Sequence, residues 1–269
     1  MSTMIFRVDE LTDNHINPIT GDAYDNSWII LMLTDSEDYQ YMCGSLGCCA
    51  YTLKVSRVQC GDWKLAVGDF VGFNEANAKN IILVMSESEY EDAMEYYGNH
   101  SYNEPFLRTD EPRVLVHSTP MINWKQIDRD GALKCWNRLK VENAVAEEQP
   151  IGAQLGDPAD FSDYIMFGGG VTGEIVVNSK QQARINMDIN AEFLTGARLY
   201  FDAERMARDG LLIRDGCHIK VKDCLMLEPY LIFTATWDNI GMESQVSTPK
   251  VFAETADKAF EKYVSGMRS

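Results

Sequence analysis

His117-Ser118-Thr119 is the group of side chains best suited to chemistry in this 269-residue chain. It closes the apolar run Val114-Leu115-Val116, and Pro120 and a polar helical stretch ending at Gly131 follow it. A histidine at a strand end, just before a helix, can point into a cleft. Its imidazole can bind a ligand, or it can cap the strand end through a backbone hydrogen bond. Tyr164 and Phe167 are core aromatics or the lining of a pocket. Arg184 suits either a pyrophosphate or solvent. Asp202 reads as a helix cap, Trp124 as packing for its helix, and His218 as a secondary candidate beside a strand start.

Cysteine chemistry is a second possibility. The chain has 7 cysteines, an odd number. With no export signal evident at the N-terminus, reduced thiols in a cytoplasm are the expectation. Cys43, Cys48, Cys49 and Cys60 fall in one stretch, spaced C-x4-C-C-x10-C. That spacing lacks the paired C-x2-C knuckles of common structural zinc sites. Apolar packing of these thiols is expected, and no metal site; the alternative is a zinc-stabilised interaction protein built on this cluster.

These groups must be carried by elements that the hydrophobic pattern marks out. In the first half, residues 27–33, 49–55, 69–73 and 81–85 read as strands. Ser86-Glu87-Ser88-Glu89 is a capping box that opens a helix over 87–97. Residues 99–112 read as a connection and 141–160 as a long surface loop. In the second half, 163–167, 173–177, 197–201, 218–221 and 231–237 read as strands. Residues 202–209 read as a short helix with Asp202 at its N-cap and Gly210 as its stop. A terminal helix over 251–264 sets Phe252, Ala256, Ala259, Phe260 and Tyr263 on one face. The formal net charge of −17 argues against non-specific nucleic-acid binding. No apolar run is long enough to span a bilayer.

Four segments together resemble the ADP-ribosyltransferase superfamily, especially its RNA 2′-phosphotransferase (KptA-like) and DarT-like branches. Leu115-Val116-His117-Ser118-Thr119 with Asn123-Trp124, Ile127, Asp130-Gly131 and Leu133 is similar to the family's His-Gly-Thr strand and following helix. Asp163-Tyr164-Ile165-Met166-Phe167 is similar to the DarT-type Asp-Tyr-Val-Pro-Phe strand. Leu199-Tyr200-Phe201-Asp202-Ala203-Glu204-Arg205-Met206 with Gly210-Leu211 is similar to a phosphotransferase segment. Arg214-Asp215-Gly216-Cys217-His218-Ile219 and Leu227-Glu228-Pro229-Tyr230-Leu231 resemble its closing strand and Pro-x-Tyr. The resemblance covers about residues 113–233.

It implies NAD lying between two small sheets. His117 would then hydrogen-bond a ribose hydroxyl. The backbone of Ser118 would meet the nicotinamide carboxamide, with Thr119 beside it. Tyr164 would stack on nicotinamide, Phe167 would line the pocket and Arg184 would meet the pyrophosphate. Nicotinamide would leave through an oxocarbenium-like transition state, which needs positioning and charge stabilisation more than a strong base. Ser118 stands where the family has glycine. Gly216-Cys217-His218 stands where active transferases carry a glutamate, which makes Glu192 the acidic candidate.

The expected protein is α+β. A smaller N-terminal α+β unit spans 1–110, and an ADP-ribosyltransferase-like split sheet with short helices spans 111–269. The expected function is NAD-dependent ADP-ribosyl transfer to an unknown acceptor, with protein or small molecule favoured over nucleic acid. The alternative is a non-catalytic module of that fold that binds a nucleotide or a protein partner.

Overall fold

The apolar runs at 28–34 and 80–84 are neighbouring parallel strands at the centre of one sheet, and burial explains their composition. Ile30, Leu31, Ile81, Ile82 and Leu83 have no exposed surface, as strands covered on both faces require. The computed structural model describes residues 3–45, 50–98, 104–145 and 147–267. It is a mixed α and β protein with several small sheets, and the chain divides into two compact units. The first comprises Met1–Glu104 with two later segments, Leu155–Phe161 and Leu212–Ile219. The remainder forms the second.

In the first unit the elements run β1 (Ile5–Val8), β2 (Trp28–Thr34), β3 (Tyr41–Gly44), β4 (Thr52–Ser56), α1 (Trp63–Ala76), β5 (Asn80–Val84) and α2 (Glu87–Gly98). The sheet order is β1-β5-β2-β4-β3. Only the β3–β4 pair is antiparallel. The capping box forms as its sequence suggests: Ser86 Oγ accepts from the Glu89 amide and the Glu89 carboxylate accepts from the Ser86 amide.

Residues 69–73 are not a strand. They lie inside α1, whose N-cap is Asp62, with its carboxylate accepting from the Leu65 amide at 3.0 Å. Phe70, Val71 and Phe73 look strand-like alone. Together with Ala66 and Val67, all buried, they follow the i, i+3, i+4 spacing of a helix.

The second unit carries β6 (Val114–Thr119), α3 (Met121–Asp130), β7 (Ala132–Lys134), α4 (Trp136–Val141), β8 (Tyr164–Met166), α5 (Thr172–Gln182), β9 (Phe193–Leu194), β10 (Ala197–Asp202) and α6 (Ala203–Arg208). After β11 (Ile213–Arg214), in a segment of the first unit, come β12 (Ile219–Lys222), β13 (Cys224–Met226), β14 (Leu231–Ala235), β15 (Val246–Ser247) and α7 (Pro249–Met267). β6, β10 and β14 form an antiparallel sheet in the order β14-β10-β6. Shorter antiparallel pairs join β8 to β12, β7 to β13 and β9 to β15.

The apolar face of α7 closes the core of this unit. Phe260 stacks on Tyr200 with ring centroids 4.4 Å apart, and Phe260 and Tyr263 both meet Phe233. Asp202 caps α6 by accepting from the Arg205 amide, and Gly210 takes a positive φ of 71° past its end.

Residues 173–177, expected as a strand, belong to α5. Ile175, Val176 and Val177 favour strands locally. Tertiary burial decides otherwise: Glu174, Val177 and Asn178 turn inward at helical spacing. The 141–160 segment is not structureless, for a 3-10 turn spans Ile151–Leu155 and another begins at Ala159. Among the described residues, no helix is long and apolar enough to cross a membrane.

Candidate functional site

The strand β6 sends its last three side chains to two different places. Alternation puts His117 and Thr119 on one face and Ser118 on the other. β10 lies antiparallel beside it, with His117 opposite Leu199 and Ser118 opposite Arg198.

On the first face, His117 Nδ1 lies 3.0 Å from the Met166 carbonyl at the end of β8. A carbonyl can only accept, so Nδ1 carries the hydrogen. Burial draws the imidazole down to about 4, against the Met166 bond and with help from Lys180. The ring is therefore neutral at pH 7, and its Nε2 is left with a lone pair. The Phe167 ring sits edge-on to His117 at 6.3 Å and to Phe201 at 5.8 Å. Together these contacts fix the plane and tautomer of the imidazole. The arrangement can accept a hydrogen bond from a hydroxyl or an amide.

The pH dependence of stability carries the same signature. The folded value lies below the unfolded value of about 6.5, so the unfolded chain takes up this proton first as pH falls. The stability is complete above about pH 6.5 and is lost as pH falls towards about 4. We expect His117→Gln to remove about 2 kcal/mol of the stability difference between pH 7 and pH 4.5. Urea unfolding of both proteins at both values checks this. Equal acid sensitivity would mean that the imidazole is not held neutral.

On the opposite face Ser118 meets a buried ion network. Its hydroxyl donates to Glu174 Oε1 at 2.5 Å, and Arg198 Nη1 reaches the same oxygen at 3.1 Å. Arg198 Nε and Nη2 continue to the Asp257 carboxylate at 3.1 and 3.3 Å. The Tyr200 hydroxyl accepts from Arg198 and donates to Asp257. Glu174 and Arg198 are buried, at 0% and 1% exposure. Burial pushes the Glu174 carboxyl up, while Ser118 and Arg198 pull it down.

This network also gives the Ser118 side chain its place. A Cβ on Gly173 would lie 2.5 Å from Ser118 Oγ. The glycine that makes room is in α5, and the serine side chain never enters the His117 face.

The other sequence candidates are dispersed. Tyr164 is buried, and its ring faces ammonium groups, Lys220 at 4.9 Å and Lys222 at 6.0 Å. Thr119 is buried, paired through its backbone with Ala197. Arg184 is exposed and donates to Gln182 at 3.3 Å. Glu192 is exposed just ahead of β9, and none of the contacts that hold His117 involve it. His218 belongs to the first unit. Thus the structure brings His117 and Phe167 together and turns the Ser118 side chain into the buried network.

Glu174, Arg198, Tyr200 and Asp257 were not among the sequence candidates. One signal was available: Arg198 interrupts the apolar strand Ala197-Arg198-Leu199-Tyr200-Phe201. A charge in such a strand is buried only with a partner. The partners, 24 residues before it and 59 after it, have no local signature. Comparison with protein-family models, with curated proteins and with solved structures found no match to this chain.

Proposed function

We propose that the second unit is an ADP-ribosyltransferase-like module that binds NAD at His117 and transfers ADP-ribose to an acceptor. The observation that supports this reading is the neutral His117, fixed by the Met166 carbonyl with Nε2 available as an acceptor. A ribose hydroxyl is the donor it suits. Phe167, edge-on beside the imidazole, adds an aromatic wall for a flat ring. The chemistry is departure of nicotinamide through an oxocarbenium-like transition state. Precise holding of the ribose serves it better than a strong base does.

One observation favours a second reading, a nucleotide-binding module without catalysis. Glu174, the carboxylate held by this strand, is fully buried and engaged by Ser118 and Arg198 on the face away from His117. Glu192 is exposed.

Calorimetric titration of NAD into the wild-type protein and into His117→Ala tests the shared part. The expected result is binding that weakens at least about tenfold in the variant, the equivalent of roughly 1.4 kcal/mol. No heat from NAD in the wild type would sink the NAD reading. Nicotinamide release then separates the two forms, since only a transferase produces it.

A further inference from the structure

The first unit holds a cluster of thiol and imidazole groups that the His117 site does not use. Cys43 lies on β3, the edge strand of the five-stranded sheet. Cys217 and His218 come from the Leu212–Ile219 segment of the same unit, 175 residues from Cys43 in the case of His218. The Cys43 thiol, the Cys217 thiol and a His218 ring nitrogen all lie within 4.8 Å of one another.

Two features of this cluster are those of a metal centre. The first is spacing. His218 Nε2 is 3.8 Å from Cys43 Sγ and 3.7 Å from Cys217 Sγ. A tetrahedral zinc ion with bonds of about 2.3 Å to sulfur and about 2.0–2.1 Å to nitrogen sets an S···N edge of roughly 3.6 Å. The Cys43 edge differs from that by a few tenths of an ångström, while Cys217 Sγ lies nearer Nδ1 than Nε2 and must turn about its χ1 to share an ion bound at Nε2.

The second is the support behind the histidine. His218 Nδ1 lies 3.1 Å from Asp215 Oδ2. A carboxylate behind the far ring nitrogen is the usual partner of a metal-ligating histidine, because it fixes the ring and raises its basicity. Asp215 is itself buried and pinned, since its Oδ1 accepts from the amides of Cys217 and His218 at 3.2 and 2.8 Å. Phe161 packs edge-on against the His218 ring at 5.8 Å.

The backbone is built to bring this turn in. Gly216 has φ +98°, and a Cβ there would lie 2.7 Å from the Ala66 carbonyl and 3.0 Å from Phe70 Cβ on α1. Only a glycine allows so close an approach.

We propose that Cys43, Cys217 and His218 are the ligands of a zinc ion that ties the Leu212–Ile219 segment to the edge strand β3. Two thiolates and a neutral imidazole balance the charge of Zn2+, and Asp215 orients the imidazole. The thiolate is the ligating form of each cysteine. The expected absence of a metal rested on the grouping of Cys43, Cys48, Cys49 and Cys60. Within that group Cys60 is buried beside the Tyr41 hydroxyl, and Cys48 and Cys49 lie outside the described residues.

The test uses the full chain without a histidine tag. After zinc reconstitution and extensive dialysis, mass spectrometry of metals should find about one zinc per chain. With cobalt in place of zinc, a near-ultraviolet thiolate-to-cobalt band should appear. It should fall to about half in folded Cys43→Ser or Cys217→Ser, which each lose one of two thiolates, and stay unchanged in Cys135→Ser. If either serine variant fails to fold, the wild-type zinc content and cobalt band decide. Zinc below about 0.1 per chain in the wild type, or a cobalt complex without a thiolate band, overturns the proposal. So does metal binding that survives intact in both folded serine variants.

Discussion

Arg198→Met is expected to lower the stability of the second unit by about 3–5 kcal/mol, the usual cost of breaking a buried ion pair from one side. Methionine fills much of the space and is tolerant of irregular packing, so lost volume is not the main effect. The effect is Glu174. Its side chain has no exposed surface, and without Arg198, among the described residues only the Ser118 hydroxyl still addresses it. Its Oε2 already has no hydrogen-bond partner among the described residues. Asp257 fares better, because 42% of its side chain is exposed and water can replace the guanidinium.

This reasoning makes a sharper expectation for the pair. Arg198→Met with Glu174→Gln should be more stable than Arg198→Met alone by about 1–2 kcal/mol, since the orphaned charge is gone. Urea midpoints of the two single variants and the double variant give the coupling directly. A cost below about 1 kcal/mol for Arg198→Met would show that the network is not desolvated as the geometry indicates.

Gly196→Ala is the second large effect, by a different mechanism. A Cβ at residue 196 would lie 1.9 Å from the Thr119 carbonyl oxygen, 2.8 Å from its carbon and 3.2 Å from Pro120 Cα. All three are backbone atoms, so no side-chain rotation relieves the clash. The chain must shift where Ala197 pairs with Thr119, and that is the end of the strand carrying His117. A loss of about 3 kcal/mol or more is expected. Gly169→Ala is the control, for a Cβ there meets nothing within 4 Å. Thermal unfolding of both variants settles it, and a Gly196→Ala protein as stable as the control would contradict the close approach. On the proposed NAD reading, Gly196→Ala should also weaken NAD binding, because the imidazole moves with its strand.

Much of the element structure could be read from the sequence, and the reasons are local. The strands at 28–34, 80–84, 114–119 and 197–202 are apolar runs bounded by polar residues. The ends of α2, α3 and α6 are set by Ser86 with Glu89, by Gly131 and by Asp202. The short aromatic and β-branched runs at 69–73 and 173–177 read as strands but sit in helices. There the side chains satisfy either period over five residues, and only the surrounding core chooses.

What the sequence determined by itself is what neighbours along the chain decide: capping, turns, apolar periodicity, and the placing of His117 at a strand end. It could not determine which charges would share a buried network. The Ser118–Arg198 pairing is a matter of sheet register. Glu174 and Asp257 join them from two helices, and Cys43 meets His218 across 175 residues. Such contacts depend on how separated segments pack. Burial then sets their energetics, since desolvation makes the partner of a charge or the ligand of a thiolate matter far more than it does in water. That step belongs to the tertiary structure alone.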